Sequence, residues 1–190
     1  MRQNFLIPVF AVVVSMIVMV AGANAQAVSL PDQLAAQYKL VKMGSDSSGY
    51  SVIEEGTLLS IQKGSLKGVP YSEKNTLPAN RYEGGTVYPP TFAREKVTNI
   101  FRSRIGQPEQ TTKLFQKGDQ VYASKIDLNV DKDTVTMGIV ACDTCNRTDP
   151  PTYNKAQVVF VFPKGSLAKA SAGQVEDMIG QLLSISTDAQ

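Results

Sequence analysis

The sequence has no histidine, no tryptophan and only two cysteines in 190 residues. Without histidine the usual near-neutral general base is missing, and with it Ser-His-Asp and Cys-His pairs and the commonest metal ligand. Without tryptophan, an aromatic platform for stacking sugars has to come from Tyr or Phe. A dominant charge is also lacking: 19 basic against 17 acidic residues give a net +2, so nothing points to nucleic acid as a partner. No complete catalytic motif, metal-ligand set or cofactor fingerprint is legible, and no catalytic residue, metal or cofactor is assigned.

What is present begins with an apolar run from Phe5 to about Gly22, preceded by Arg2 and followed by Ala23-Asn24-Ala25. This is the pattern of a secretory signal at residues 1–25, cut before Gln26. A retained anchor competes, because a membrane span needs only about 20 apolar residues. Pro8 and Ser15 interrupt the run, however, and no stop-transfer charges follow it. Gln26 is not a cysteine, so the acceptor of a bacterial lipoprotein anchor is absent. The expectation is a periplasmic or extracellular chain without a stable membrane span after cleavage. Residues 26–190 then form a single β-rich domain, long enough to bury a core.

Downstream, "SLPDQLAAQY" predicts a short helix begun by Pro31 and carrying Leu34 and Tyr38, and "GTLLSIQKG" alternates through Leu59 and Ile61 as a strand. From Tyr71 to about residue 95 the chain mixes Pro, Gly and Asn with three tyrosines and keeps no period, which predicts a long surface loop. "EKVTNIFRSRIG" fits helix and strand alike. "DQVYASKIDL", "DTVTMGIVAC" and "KAQVVFVF" predict an antiparallel meander, with Val135, Met137, Ile139 and Ala141 on one face and "VVFVF" inside the sheet. Ser171 to Gln174 is a capping box ahead of the stripe Val175, Met178, Ile179, Leu182 and Leu183. The fold class is therefore α+β: a mainly antiparallel sheet, which can curl into a small SH3-like barrel, closed by a C-terminal amphipathic helix. The words "QKGSLKG" and "PKGSLAK" have unrelated flanks and read as strand-exit turns, not a duplication.

Cys142 and Cys145 stand as C-x-x-C. Thioredoxin-like chemistry needs this pair at a helix N-terminus, and Pro150 and Pro151 leave no room for a substantial helix. Zinc needs about four ligands. A structural disulfide across a tight turn is expected, contributing about 2 kcal/mol because the closed loop is so short. Two S-x-x-K words, Ser60 with Lys63 and Ser166 with Lys169, lack the S-D-N and K-T-G companions of penicillin-binding enzymes. "DLNVDKD" places Asp127, Asn129, Asp131 and Asp133 like a calcium loop, but Lys132 replaces the glycine and Gly138 the bidentate Glu, so a hairpin turn accounts for it. Asn146-Arg147-Thr148 is a glycosylation sequon. Arg94, Lys96, Arg102, Arg104, Lys113 and Lys117 outnumber Glu95 and Glu109 and can face an anionic polymer or simply solvent.

The run "FQKGDQVYASKIDLNVDKDTVTMGIVACDTC", with "AQVVFVFPKGSL" and "VEDMIGQLL" after it, resembles the C-terminal half of small exported acidobacterial-type proteins of uncharacterised function. The resemblance implies a bacterial exported setting and carries over no catalytic residue. The function expected is a non-catalytic binding or structural module of the cell envelope. It would meet an envelope protein or anionic polymer through Tyr82, Tyr88, Arg94, Lys96, Arg102 and Arg104, on the 71–95 loop and the adjacent basic segment. The alternative is a hydrolase using Glu54-Glu55 or the Asp127 to Asp133 group; adjacent Glu residues on a strand point to opposite faces, which weakens the first pair. Expression with export should yield a chain whose N-terminus, read by mass spectrometry, is Gln26. Recovery of Met1 or Arg2 in membranes would make the segment an anchor.

Overall fold

The computed structural model describes residues 28–47, 49–73, 79–90 and 112–186. The signal segment and the undecided 95–105 stretch lie outside the described residues. Along the chain run α1 (Leu30–Gln37), β1 (Lys42–Asp46), β2 (Gly49–Glu54), β3 (Leu58–Ile61), β4 (Leu66–Gly68), β5 (Ala79–Glu83) and β6 (Thr86–Tyr88). Beyond residues 91–111 come β7 (Lys113–Phe115), β8 (Gln120–Asn129), β9 (Thr134–Ala141), β10 (Lys155–Val161), a 3-10 turn (Leu167–Lys169), α2 (Ala172–Gly180) and β11 (Leu183–Ile185).

The alternating apolar residues of β8, β9 and β10 drive the expected antiparallel meander, and it forms. Val135, Met137, Ile139 and Ala141 are fully buried on one face. Among the described residues the main sheet has the order β11-β3-β8-β9-β10-β5-β6, with β1–β2 and β4–β7 as separate pairs. Its ladders are antiparallel except β10 with β5, which is parallel. The α+β class and the antiparallel character hold. Strands β11 and β6 are the edges, and among the described residues no ladder joins them into an SH3-like barrel.

Helices α1 and α2 cover the β9 row, contributing Leu34, Val175 and Ile179 to a core with Leu59, Ile61, Val121, Val158 and Phe160. A bulge between Ala123 and Lys125 shifts the alternation of β8. Val121 and Ala123 face the core before it, and Ile126 and Leu128 pack there after it. Gly138 lies opposite because a Cβ there would stand 2.8 Å from Ser124 Oγ. The capping box of α2 is present: Gln174 N donates to Ser171 Oγ at 3.3 Å and Ser171 N to Gln174 Oε1 at 3.0 Å. The helix stops at Gly180, so Leu182 is buried in the turn after it and Leu183 opens β11 opposite Ile61. The five-residue stripe therefore divides between a helix and an edge strand.

The long loop expected over 71–95 is corrected where the chain is described; residues 74–78 and 91–95 lie outside the described residues. Residues 79–88 form a hairpin turned by Gly84 and Gly85 at φ 54° and 81°, the pair of left-handed positions that a two-residue hairpin turn demands. Asn80, a poor strand former, is tolerated because its amide stands in for backbone. Fully buried, it accepts from Lys67 N at 2.8 Å and donates to Lys67 O at 2.9 Å and Gln157 O at 3.1 Å. It thereby ties β4 to β5 and β10. Asn80→Ala would strand these buried groups, and urea unfolding should show a loss of about 3 kcal/mol. An unchanged midpoint would mean that water or a neighbouring strand replaces the amide.

Candidate functional site

Of the sequence-derived binding residues, only Tyr82 and Tyr88 are among the described residues. Tyr82 is fully buried, its ring edge-on to Phe160 at 5.6 Å and its hydroxyl donating to Gln181 Oε1 at 3.1 Å while accepting from Lys63 Nζ at 3.1 Å. It is a core residue, and its assignment to a contact surface is withdrawn. Tyr88 is half exposed on edge strand β6, with the Arg81 guanidinium 5.9 Å from its ring centre. Arg94, Lys96, Arg102 and Arg104 lie outside the described residues.

The other face of the sheet, at the C-terminal end of β9, carries a second cluster that sequence reasoning passed over. Val41, Tyr122, Val140 and Cys142 are buried there, with Met43, Val52, Leu58, Tyr71 and Tyr153 packed around them. Tyr50 meets Tyr71 edge-on at 5.0 Å, so four of the seven tyrosines gather at one end of the sheet. Lys155 Nζ sits 4.8 Å from the Tyr71 ring centre and donates to Glu73 O at 2.7 Å. Burial lowers the Lys155 pKa, against the opposing pull of Glu73. Burial, then the Glu55 carboxylate, pushes the Tyr122 phenol up to about 12, so its hydroxyl keeps its proton.

The loop between β9 and β10 frames this cluster. Cys142 and Cys145 are joined, Cα to Cα 5.2 Å, and form the expected disulfide at the end of the strand. Asn146 Oδ1 accepts from Gln120 N and its Nδ2 donates to Gln120 O, both at 2.8 Å, so the sequon asparagine is engaged in holding the loop. Asp143, only 1% exposed, accepts from Thr152 N and Tyr153 N through Oδ2 at 2.6 Å each. This double contact holds Tyr153 at φ 46°, a left-handed conformation unfavourable for a tyrosine. The other Asp143 oxygen is buried with no hydrogen-bond partner among the described residues.

The carboxylates considered for hydrolysis are spread over separate structural tasks. Glu54 pairs with Lys39 at 3.0 Å and Lys42 at 2.5 Å, and these ammonium groups, Lys42 first, hold it down at about 2. Asp127 lies 3.7 Å from Lys125. Asp133 turns back to the 3-10 turn, accepting from Gly165 N at 2.7 Å and Leu167 N at 3.1 Å. Lys63 Nζ reaches Gly85 O at 2.5 Å and Ser166 Oγ donates to Pro163 O at 2.6 Å, so the first S-x-x-K word runs out of the end of β3 and the second belongs to a turn. Among the described residues no group of three or more acidic or cysteine side chains is placed to hold a metal ion.

The backbone N–H groups of Gly165 and then Leu167 hold the Asp133 pKa below the ordinary value. A carboxylate depressed in the folded state adds stability above its unfolded pKa of about 4, and that increment is lost as pH falls through the folded value. Asp133→Asn should therefore destabilise the protein at neutral pH, with a gap to the parent that narrows below about pH 4 in thermal melts. A gap independent of pH would assign the effect to packing instead. Compared with known proteins, no family model, no curated protein and no solved structure matches this chain.

Proposed function

We propose that this chain is an exported cell-envelope protein acting as a non-catalytic binding module, with its contact surface at the tyrosine cluster beside the 142–154 loop. The observation that carries the reading is Tyr153, held in a left-handed conformation by the buried Asp143 at the rim of a cluster that also presents Tyr50, Tyr71 and Lys155. Backbone strain is kept where a surrounding network over-determines it, and such positions concentrate at sites that contact partners. Tyrosines add amphipathic contact area at low entropic cost, because only two torsions need ordering. An envelope protein or an anionic polymer fits this rim, with Lys155 supplying the charge. The disulfide is consistent with an oxidising compartment, and no helix among the described residues is long and apolar enough to cross a membrane.

A cross-linking pull-down from the native envelope tests the reading. Tyr71→Ala with Tyr153→Ala should lose the partner captured by the parent while the circular dichroism stays unchanged. Retention of that partner would move the site away from the cluster, and the same pair of substitutions on Tyr88 and Arg81 would then probe the β5–β6 hairpin.

A further inference from the structure

We propose that the Cys142–Cys145 disulfide is exchangeable: an external thiolate attacks the Cys145 sulfur, and Cys142 leaves as a thiolate held by the turn around it. The proposal stands apart from the binding role. It rests first on asymmetry. Cys142 is 1% exposed, whereas Cys145 lies on the exposed side of the turn, so an incoming sulfur can reach only one end of the bond. The buried end is the one supplied with donors. Cys145 N–H points at Cys142 Sγ across 3.2 Å, and the hydroxyls of Thr144 and Tyr122 lie 3.4 and 3.3 Å from it. A disulfide sulfur has no hydrogen, so the Cys145 N–H and the Thr144 hydroxyl face it as donors, whereas the one hydrogen of the Tyr122 hydroxyl goes to the Glu55 carboxylate. Such contacts are weak to a neutral sulfur and strengthen as negative charge develops on it, which is the condition for assisting a leaving group. Glu55, facing the Tyr122 hydroxyl, and the buried Asp143 carboxylate both oppose an anion here. The two donors of the turn, Cys145 N–H and the Thr144 hydroxyl, act against that field on the departing sulfur.

The second observation is that the loop does not depend on the bond. Asn146 fixes it to Gln120 through two hydrogen bonds, and Asp143 fixes its far end at Thr152 and Tyr153. Asn146 N donates to Cys142 O at 2.9 Å and Thr148 N to Asp143 O at 2.8 Å, closing the turn through backbone alone. With the bond open, the sulfurs remain adjacent and the pair can form again. In the first step the external thiolate bonds to Cys145 as the Cys142–Cys145 bond breaks, its electron pair going to Cys142. With a dithiol as reductant, its second thiolate attacks its own sulfur in the mixed disulfide and Cys145 leaves. The two protons released by the dithiol end on the two cysteines, and the reductant becomes a cyclic disulfide.

The folded full chain is incubated with millimolar reduced glutathione, quenched with acid and mapped by mass spectrometry. The expected adduct sits on Cys145, with the circular dichroism unchanged. Thr144→Val should slow reduction several-fold, shift the equilibrium toward the disulfide, and move the ultraviolet thiolate signal of the reduced protein to higher pH. Simple loosening of the turn would speed reduction instead. A bond that opens only on unfolding, an adduct on Cys142, or a Thr144→Val variant reduced as fast as the parent overturns the proposal. Should a variant fail to fold, adduct mapping on the unaltered chain still decides it.

Discussion

The C-terminal half of β9 must bury both of its faces, and the rest of the architecture follows from that constraint. From Gly138 to Ala141 every residue is buried. Met137, Ile139 and Ala141 look toward the helices, while Val140, and Cys142 just beyond the strand, look the other way. Each large aliphatic side chain removed from water contributes about 1.5–3 kcal/mol, so a cover is required on either side. Helices α1 and α2 provide one. The β1–β2 hairpin and the tyrosines provide the other, which is why aromatic side chains collect where the disulfide turn begins.

Much of this was legible in the sequence. The row Val135, Met137, Ile139 and Ala141 announced its own face through period-two spacing, and Ser171 to Gln174 announced the start of α2 through its reciprocal capping chemistry. Two errors in the fold have identifiable causes, one local and one distant. The stripe through Leu182 and Leu183 fits helical spacing, but Gly180 ends the helix and Leu183 pairs with Ile61 across a sheet edge. The hairpin at 79–88 was hidden because Asn80 and Arg81 read as loop residues. Only the parallel partner β10 and the backbone of Lys67 make an asparagine favourable in that strand, and these lie far away in sequence.

The candidate site was legible only in its covalent part. The Cys142 and Cys145 spacing gave the disulfide, while the tyrosines that surround it come from four separate segments. Tyr50, Tyr71, Tyr122 and Tyr153 have no common periodicity, and nothing short of the sheet register brings them together. The role of Asp143 is equally tertiary: a carboxylate in a polar loop reads as solvated until Thr152 and Tyr153 are seen to donate to it. Tyr82 erred in the opposite direction, since a tyrosine among Gly, Pro and Asn suggests a surface and the β5–β10 pairing places it in the core.

The strand order also fixes when the molecule can become itself. Strand β3 lies between β8 and β11, and β5 lies beside β10, so the N-terminal strands find partners that are made much later. Non-local pairings of this kind raise the contact order and slow the search for the native state. Within the main sheet, the β8–β9–β10 meander is the largest unit built from neighbours and can serve as a template. A growing chain therefore cannot complete its main sheet until β10 and β11 have been made.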